Sequence, residues 1–135
     1  MKIVIAPDSC KECLSSREVA AAMADAELRS GVDAVMRYTH FDAEVVDADL
    51  VFTGEGRSNL QTFKGKVPYG VLRHCRGKRV ALLSGAVETN AVGALYDAGF
   101  WTVRAVTPRG MHPDIALDPD VAKQNIFSAV IRTLS

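Results

Sequence analysis

The chain has 135 residues, 48% of them hydrophobic and 24% charged, the balance of one globular domain and not of a disordered segment. Sixteen Lys and Arg against sixteen Asp and Glu leave no net charge, so the basic excess that drives nucleic-acid binding is missing. No apolar run approaches the ~20 residues of a membrane span. The opening residues are too short an apolar stretch for a signal peptide, and three Cys cannot all pair within one chain; both favour a cytoplasmic setting.

In chain order, the first β-branched apolar run is residues 3–6, a predicted strand. Ser15-Ser16-Arg17-Glu18 then forms a capping box ahead of Val19 and Met23. After Gly31 the helical pattern resumes with Val32, Val35 and Met36, and no strand separates the two helical stretches. A second strand is predicted over residues 50–53. Val67-Pro68 opens a helix with Val71, Leu72 and Cys75 on one stripe, stopped at Gly77. Residues 80–84 read as a third strand. Thr89 or Asn90 is placed to cap the next helix, with Val92, Leu95 and Tyr96 on its apolar face and Gly99 at its end. Residues 101–106 alternate Trp101, Val103 and Ala105 with Thr102 and Arg104, the pattern of an edge strand. Asp118-Pro119 opens the last helix, where Ala122, Ile126, Ala129 and Val130 keep the helical period. Strands alternating with helices predict four parallel strands with helices on both faces, since parallel neighbours need crossovers.

Three constellations carry chemistry. Asp8, Ser9 and Lys11 follow the first strand, where the carboxyl end of a strand and the start of a helix offer a place for a phosphate and its metal; the same residues also suit a solvated loop with a helix cap. The second is a fourteen-residue stretch after strand two, from Thr53 to Lys66. It holds Gly54 and Gly56 for close backbone approach, Glu55 for a proton or metal, and Arg57, Gln61, Thr62 and Lys66 for phosphate or hydroxyl groups. It is not a P-loop, because Val67 follows Gly65-Lys66, nor a dinucleotide fingerprint, because Asn59 stands where a third glycine belongs. The third is Cys10-Lys11-Glu12-Cys13, whose spacing and neighbouring lysine suit an acidified thiol. No second cysteine pair completes a zinc site, and His40, His74 and His112 lack partners at ligand spacing.

At the first two loops the sequence resembles the bacterial glycerate kinase family. Ala6-Pro7-Asp8-Ser9-Cys10-Lys11-Glu12-Cys13-Leu14-Ser15 stands against the family's Ala-Pro-Asp-Ser-Phe-Lys-Gly-Ser-Leu-Ser. Gly31-Val32-Asp33 matches Gly-Ile-Asp. In the run from Ala48 to Lys66, Thr53-Gly54-Glu55-Gly56-Arg57 matches the family's Thr-Gly-Glu-Gly-Arg, and Gln61-Thr62-Phe63-Lys64-Gly65-Lys66 matches its Gln-Thr-x-x-Gly-Lys. Cys10, Glu12 and Asn59 replace Phe, Gly and Asp. The resemblance implies a Rossmann-like three-layer α/β sandwich, here a single domain over residues 1–135. The family's inserted second domain is missing, with the join near residues 25–28. It further implies phosphoryl transfer from ATP, with Mg²⁺, to a glycerate hydroxyl. Asp8, Lys11 and Glu55 are then the catalytic candidates, and Ser9, Gly54, Gly56, Arg57, Asn59, Gln61, Thr62 and Lys66 the ligand-positioning ones. Asn59 cannot take a proton or neutralise a cation as a carboxylate would.

The expected activity is therefore that of a glycerate-kinase-like domain impaired by shortening. A non-catalytic phosphate-binding or interaction module and a Cys-x-x-Cys thiol protein are the alternatives. The expected partners are a phosphate-bearing ligand or glycerate, and a second copy of the chain covering apolar surface that a lost domain leaves open.

Overall fold

Strand β2 (Arg79–Val87) occupies the middle of the sheet, and its Val80, Ala81 and Leu82 are fully buried. The computed structural model describes residues 30–135. On one side of β2 lies β1 (Leu50–Ser58), parallel, with Leu50 opposite Arg79 and Ser58 opposite Val87. On the other lies β3 (Thr102–Ala105), also parallel, with Ala81 opposite Thr102 and Ser84 opposite Ala105.

Two helices, α1 (Gly31–Tyr38) and the short α2 (Phe41–Glu44), precede β1. The crossovers are α3 (Val67–His74) between β1 and β2, and α4 (Val92–Asp97) between β2 and β3. After β3 come α5 (Pro113–Ala116) and α6 (Pro119–Leu134).

Side chains alternate across a strand, so Val80 and Leu82 share one face. They pack there with Met36, Val71, Cys75, Leu95 and Phe100 in one cluster. Ala81 points to the opposite face, where α6 meets β2 and β3 and buries its own Ala129 and Thr133. The domain is thus α/β with a parallel sheet between helical layers. Among the described residues the sheet has three strands and not four; the strand expected over residues 3–6, the helix expected from Ser15 and the join near residues 25–28 lie outside them.

The local punctuation explains the helix limits. Asp118 Oδ1 accepts the backbone N–H of Asp120 and Val121 at 3.0 and 3.1 Å and so starts α6, with Pro119 in its first turn. At the end of α4, Gly99 adopts φ 112°. Its N–H reaches the Tyr96 carbonyl at 2.9 Å, while the N–H of Phe100 reaches that of Leu95 at 3.3 Å. This pair of bonds is a Schellman stop, and it turns Phe100 back into the core beside Leu95. One expectation fails locally. Thr89 and Asn90 do not cap α4 through their side chains; they form a 3-10 turn (Thr89–Ala91) that runs directly into it.

Candidate functional site

Strand β1 does not end at Thr53. It runs on through Gly54-Glu55-Gly56-Arg57 to Ser58, so the first part of the motif, through Ser58, is extended backbone paired to β2. Two glycines make this possible. A Cβ on Gly54 would lie 2.2 Å from the Leu83 carbonyl oxygen, and one on Gly85 would lie 2.5 Å from that of Gly56. Any side chain at either position would force the strands apart. Gly54 is therefore required by strand packing, whereas a Cβ on Gly56 would meet nothing within 4 Å.

Glu55 is the centre of a polar cluster, its side chain only 12% exposed. Its Oε1 accepts from Thr62 Oγ1 at 2.6 Å and from Ser58 Oγ at 2.9 Å, and its Oε2 accepts from Lys66 Nζ at 3.0 Å. Ser58 Oγ and Ser84 Oγ are 2.5 Å apart; since Ser58 already donates to Glu55, Ser84 is the donor of this bond. Thr62, Ser58 and Ser84 are buried, so the hydroxyls that orient the carboxylate are themselves withdrawn from water. The Thr62 hydroxyl also accepts the Asn59 N–H at 3.1 Å, and Asn59 Oδ1 accepts the Gln61 N–H at 2.9 Å. These bonds close the 3-10 turn Leu60–Phe63 and bring Thr62 back onto Glu55.

Of the predicted residues, the structure brings together Glu55, Thr62, Lys66 and, one bond further out, Asn59. Asn59 acts as a turn cap here, a role for which an amide serves as well as a carboxylate. Gln61 is exposed, and its backbone, not its side chain, makes the bond to Asn59. Arg57 also faces solvent, 3.9 Å from Glu88. Asp8, Ser9, Cys10, Lys11 and Cys13 lie outside the described residues. Ser58 and Ser84 went unnamed from sequence, because nothing local shows that two serines 26 positions apart will meet.

The histidines divide. His112 caps α5. His74, which has no partner at ligand spacing in the sequence, meets two distant carboxylates: Nδ1 lies 2.6 Å from Asp42 and Nε2 lies 3.2 Å from Asp33. The bond to Asp42 and the second carboxylate raise its pKa above the usual 6.5 against the opposing effect of burial. Burial, with Asp42 nearby, pushes the Cys75 thiol up from its ordinary value.

Beside the Glu55 cluster the carboxyl ends of all three strands open onto a cleft of about 1010 Å³. Gly54, Glu55 and Gly56 of β1, Gly85, Ala86 and Val87 of β2, and the Ala105–Arg109 stretch that leaves β3 line it, with Asn125, Ile126 and Val130 of α6 across from them. The strand ends are the place where open α/β sheets receive ligands. Among the described residues, no three His, Cys, Asp or Glu side chains gather as a metal site. Glu55 is already held by three donors, one of them an ammonium. The described residues by themselves do not fit Mg²⁺.

The model of the glycerate kinase family matches residues 21–134, most of the chain. The chain belongs to the glycerate kinase family. Several curated glycerate kinases align with it. That of Halalkalibacterium halodurans is 37% identical over 98 residues, 71% of this chain and 26% of that protein. That of Bacillus cereus is 35% identical over 88 residues, 64% and 23% of the two chains. The glycerate 2-kinase of Escherichia coli is 37% identical over 87 residues, 63% and 23%. The chain thus spans about a quarter of the length of these glycerate kinases.

Proposed function

We propose that this chain is the phosphate-binding lobe of a glycerate-kinase-type protein, that its inherited reaction is ATP-dependent phosphorylation of glycerate, and that it does not perform this reaction at a kinase-like rate alone. The observation that carries the reading is the Glu55 cluster. A carboxylate is held by two hydroxyls and an ammonium at a strand end, beside a cleft into which Gly56 leaves backbone free to approach a ligand. Such an arrangement positions and does not react. Glu55 fixes Lys66 and the Leu60–Phe63 turn beside the cleft, while Gly56 leaves its backbone open there.

In this reading Asp8 and Lys11 complete the set from the first loop, and ATP brings Mg²⁺ on its own phosphates. Transfer of a phosphoryl group needs its charge neutralised from several sides and water kept out. Each electrostatic contact of this kind that is lost typically costs ~10²–10³ in rate, and the matched stretch is about a quarter of the length of the relatives. Two measurements test the proposal. ADP release with glycerate and Mg·ATP at about 1 s⁻¹ or above, within the usual kinase range, would overturn the loss of turnover. A phosphate titration followed by NMR with no shift at Gly54, Glu55 or Gly56 would remove the retained site.

A further inference from the structure

The cleft holds a charge that the Glu55 cluster does not use. Of its lining among the described residues, only Glu55 and Arg109 are formally charged. Glu55 is balanced by Lys66 at 3.0 Å. Arg109 has no carboxylate within 4.0 Å among the described residues, so the uncommitted charge that these residues bring to the cleft is positive. Of the other basic side chains at the strand ends, Lys66 is spent on Glu55 and Arg57 lies near Glu88.

The position of Arg109 is set by the sheet. Pairing to β2 continues past the end of β3, with the N–H of Val106 on the Ser84 carbonyl at 2.8 Å and that of Thr107 on the Gly85 carbonyl at 3.4 Å. Pro108 then restricts the backbone, and a turn closes when the Met111 N–H meets the Pro108 carbonyl at 3.2 Å, with Gly110 at φ 81°. Arg109 is thus delivered to the cleft two residues after the last sheet bond.

The rest of the cleft says what else the ligand carries. Its volume is at the top of the ~300–1,000 Å³ typical of pockets for drug-sized ligands, far beyond the needs of a three-carbon acid. Its walls are mainly apolar: Phe52, Leu83, Val106, Met111, Ile126 and Val130. An apolar chamber with one guanidinium suits a body with a flat apolar face that carries an anion, which the planar fork of arginine can grip bidentately.

We infer that Arg109 anchors a phosphate of a nucleoside di- or triphosphate whose base and sugar lie in the cleft. The inference rests on the phosphate-binding reading above and names the residue and ligand class for it. Calorimetric titration of the wild-type chain and of Arg109→Gln with ADP, pyrophosphate and adenosine tests it, with a thermal melt of each protein as the folding control. Arg109 is exposed, so the substitution should leave the melt unchanged. The expected result is a loss of at least tenfold in affinity for ADP and for pyrophosphate, with adenosine binding unaltered. ADP affinity within twofold of wild type in Arg109→Gln would overturn the assignment while leaving the phosphate-binding reading intact. An equal loss for adenosine would show that the side chain shapes the cleft without holding the anion, which also overturns it. A wild-type chain that binds neither ADP nor pyrophosphate would overturn both.

Discussion

His74 Nδ1 lies 2.6 Å from Asp42 Oδ1, a bond that ties the end of α3 to the short helix α2, while the same imidazole reaches back through Nε2 to Asp33 in α1. One side chain thus joins three helices that cover a single face of the sheet. Its raised pKa makes this joint dependent on pH. Below the ordinary value of 6.5 the imidazole is protonated in folded and unfolded chains alike, and the stabilisation is fully present. As the pH rises through the higher folded-state value the proton is lost, and the stabilisation goes with it. We expect His74→Gln to cost about 1 kcal/mol at pH 6, since Asp42 is largely exposed, and less at pH 9. Denaturant melts at the two pH values decide this; equal costs at both would show that the ring acts by packing alone.

The glycines of β1 and β2 should separate by role. Gly54→Ala and Gly85→Ala each push a methyl group against the carbonyl of the neighbouring strand, and each should destabilise by about 1–3 kcal/mol. Gly56→Ala meets open space and should stay within about 0.5 kcal/mol of wild type. Urea unfolding measures all three, and a Gly56 variant as damaged as the other two would contradict the packing described for β1.

For the Glu55 cluster, hydroxyls should matter more to stability than the ammonium. Thr62→Val deprives both Glu55 and the Asn59 N–H of a buried partner and should cost about 1–3 kcal/mol. Lys66 is 41% exposed, so Lys66→Met should cost no more than about 1 kcal/mol. The reverse order in equilibrium unfolding would assign the orientation of Glu55 to the charge pair.

Cys75 should resist alkylation in the folded chain at neutral pH, because it is buried in the core cluster and its thiol is held protonated. If Cys10 begins a helix beside Lys11, it should react first. Mass spectrometry after brief iodoacetamide treatment distinguishes the sites, and labelling of Cys75 at the pace of Cys10 would count against this placement.

The expected homodimer has a physical candidate in α6, where Phe127, Ile131 and Leu134 are exposed at helical spacing. Sedimentation at high micromolar concentration should show a dimer that Phe127→Glu dissociates. A strictly monomeric wild-type profile would remove it.

Much of the element order was legible locally. Asp118-Pro119, the Gly99 stop, the stripe of Val71 and Cys75, and the apolar heart of β2 each depend on a few neighbouring residues, and propensity, capping and periodicity act at that range. The motif from Thr53 to Lys66 could likewise be picked out as chemistry. Its shape could not, because glycine reads as a loop former until the neighbouring strand is present. Only the register of β1 on β2 puts the Leu83 carbonyl over Gly54 and keeps the strand going to Ser58. The same register sets Glu55 opposite Ser84, whose hydroxyl then meets that of Ser58, 26 positions away, and helix packing sets His74 between carboxylates 32 and 41 positions away. Such contacts have no local signature: they are fixed by how the crossover helices seat the strands, and Arg109 reaches the cleft for the same reason.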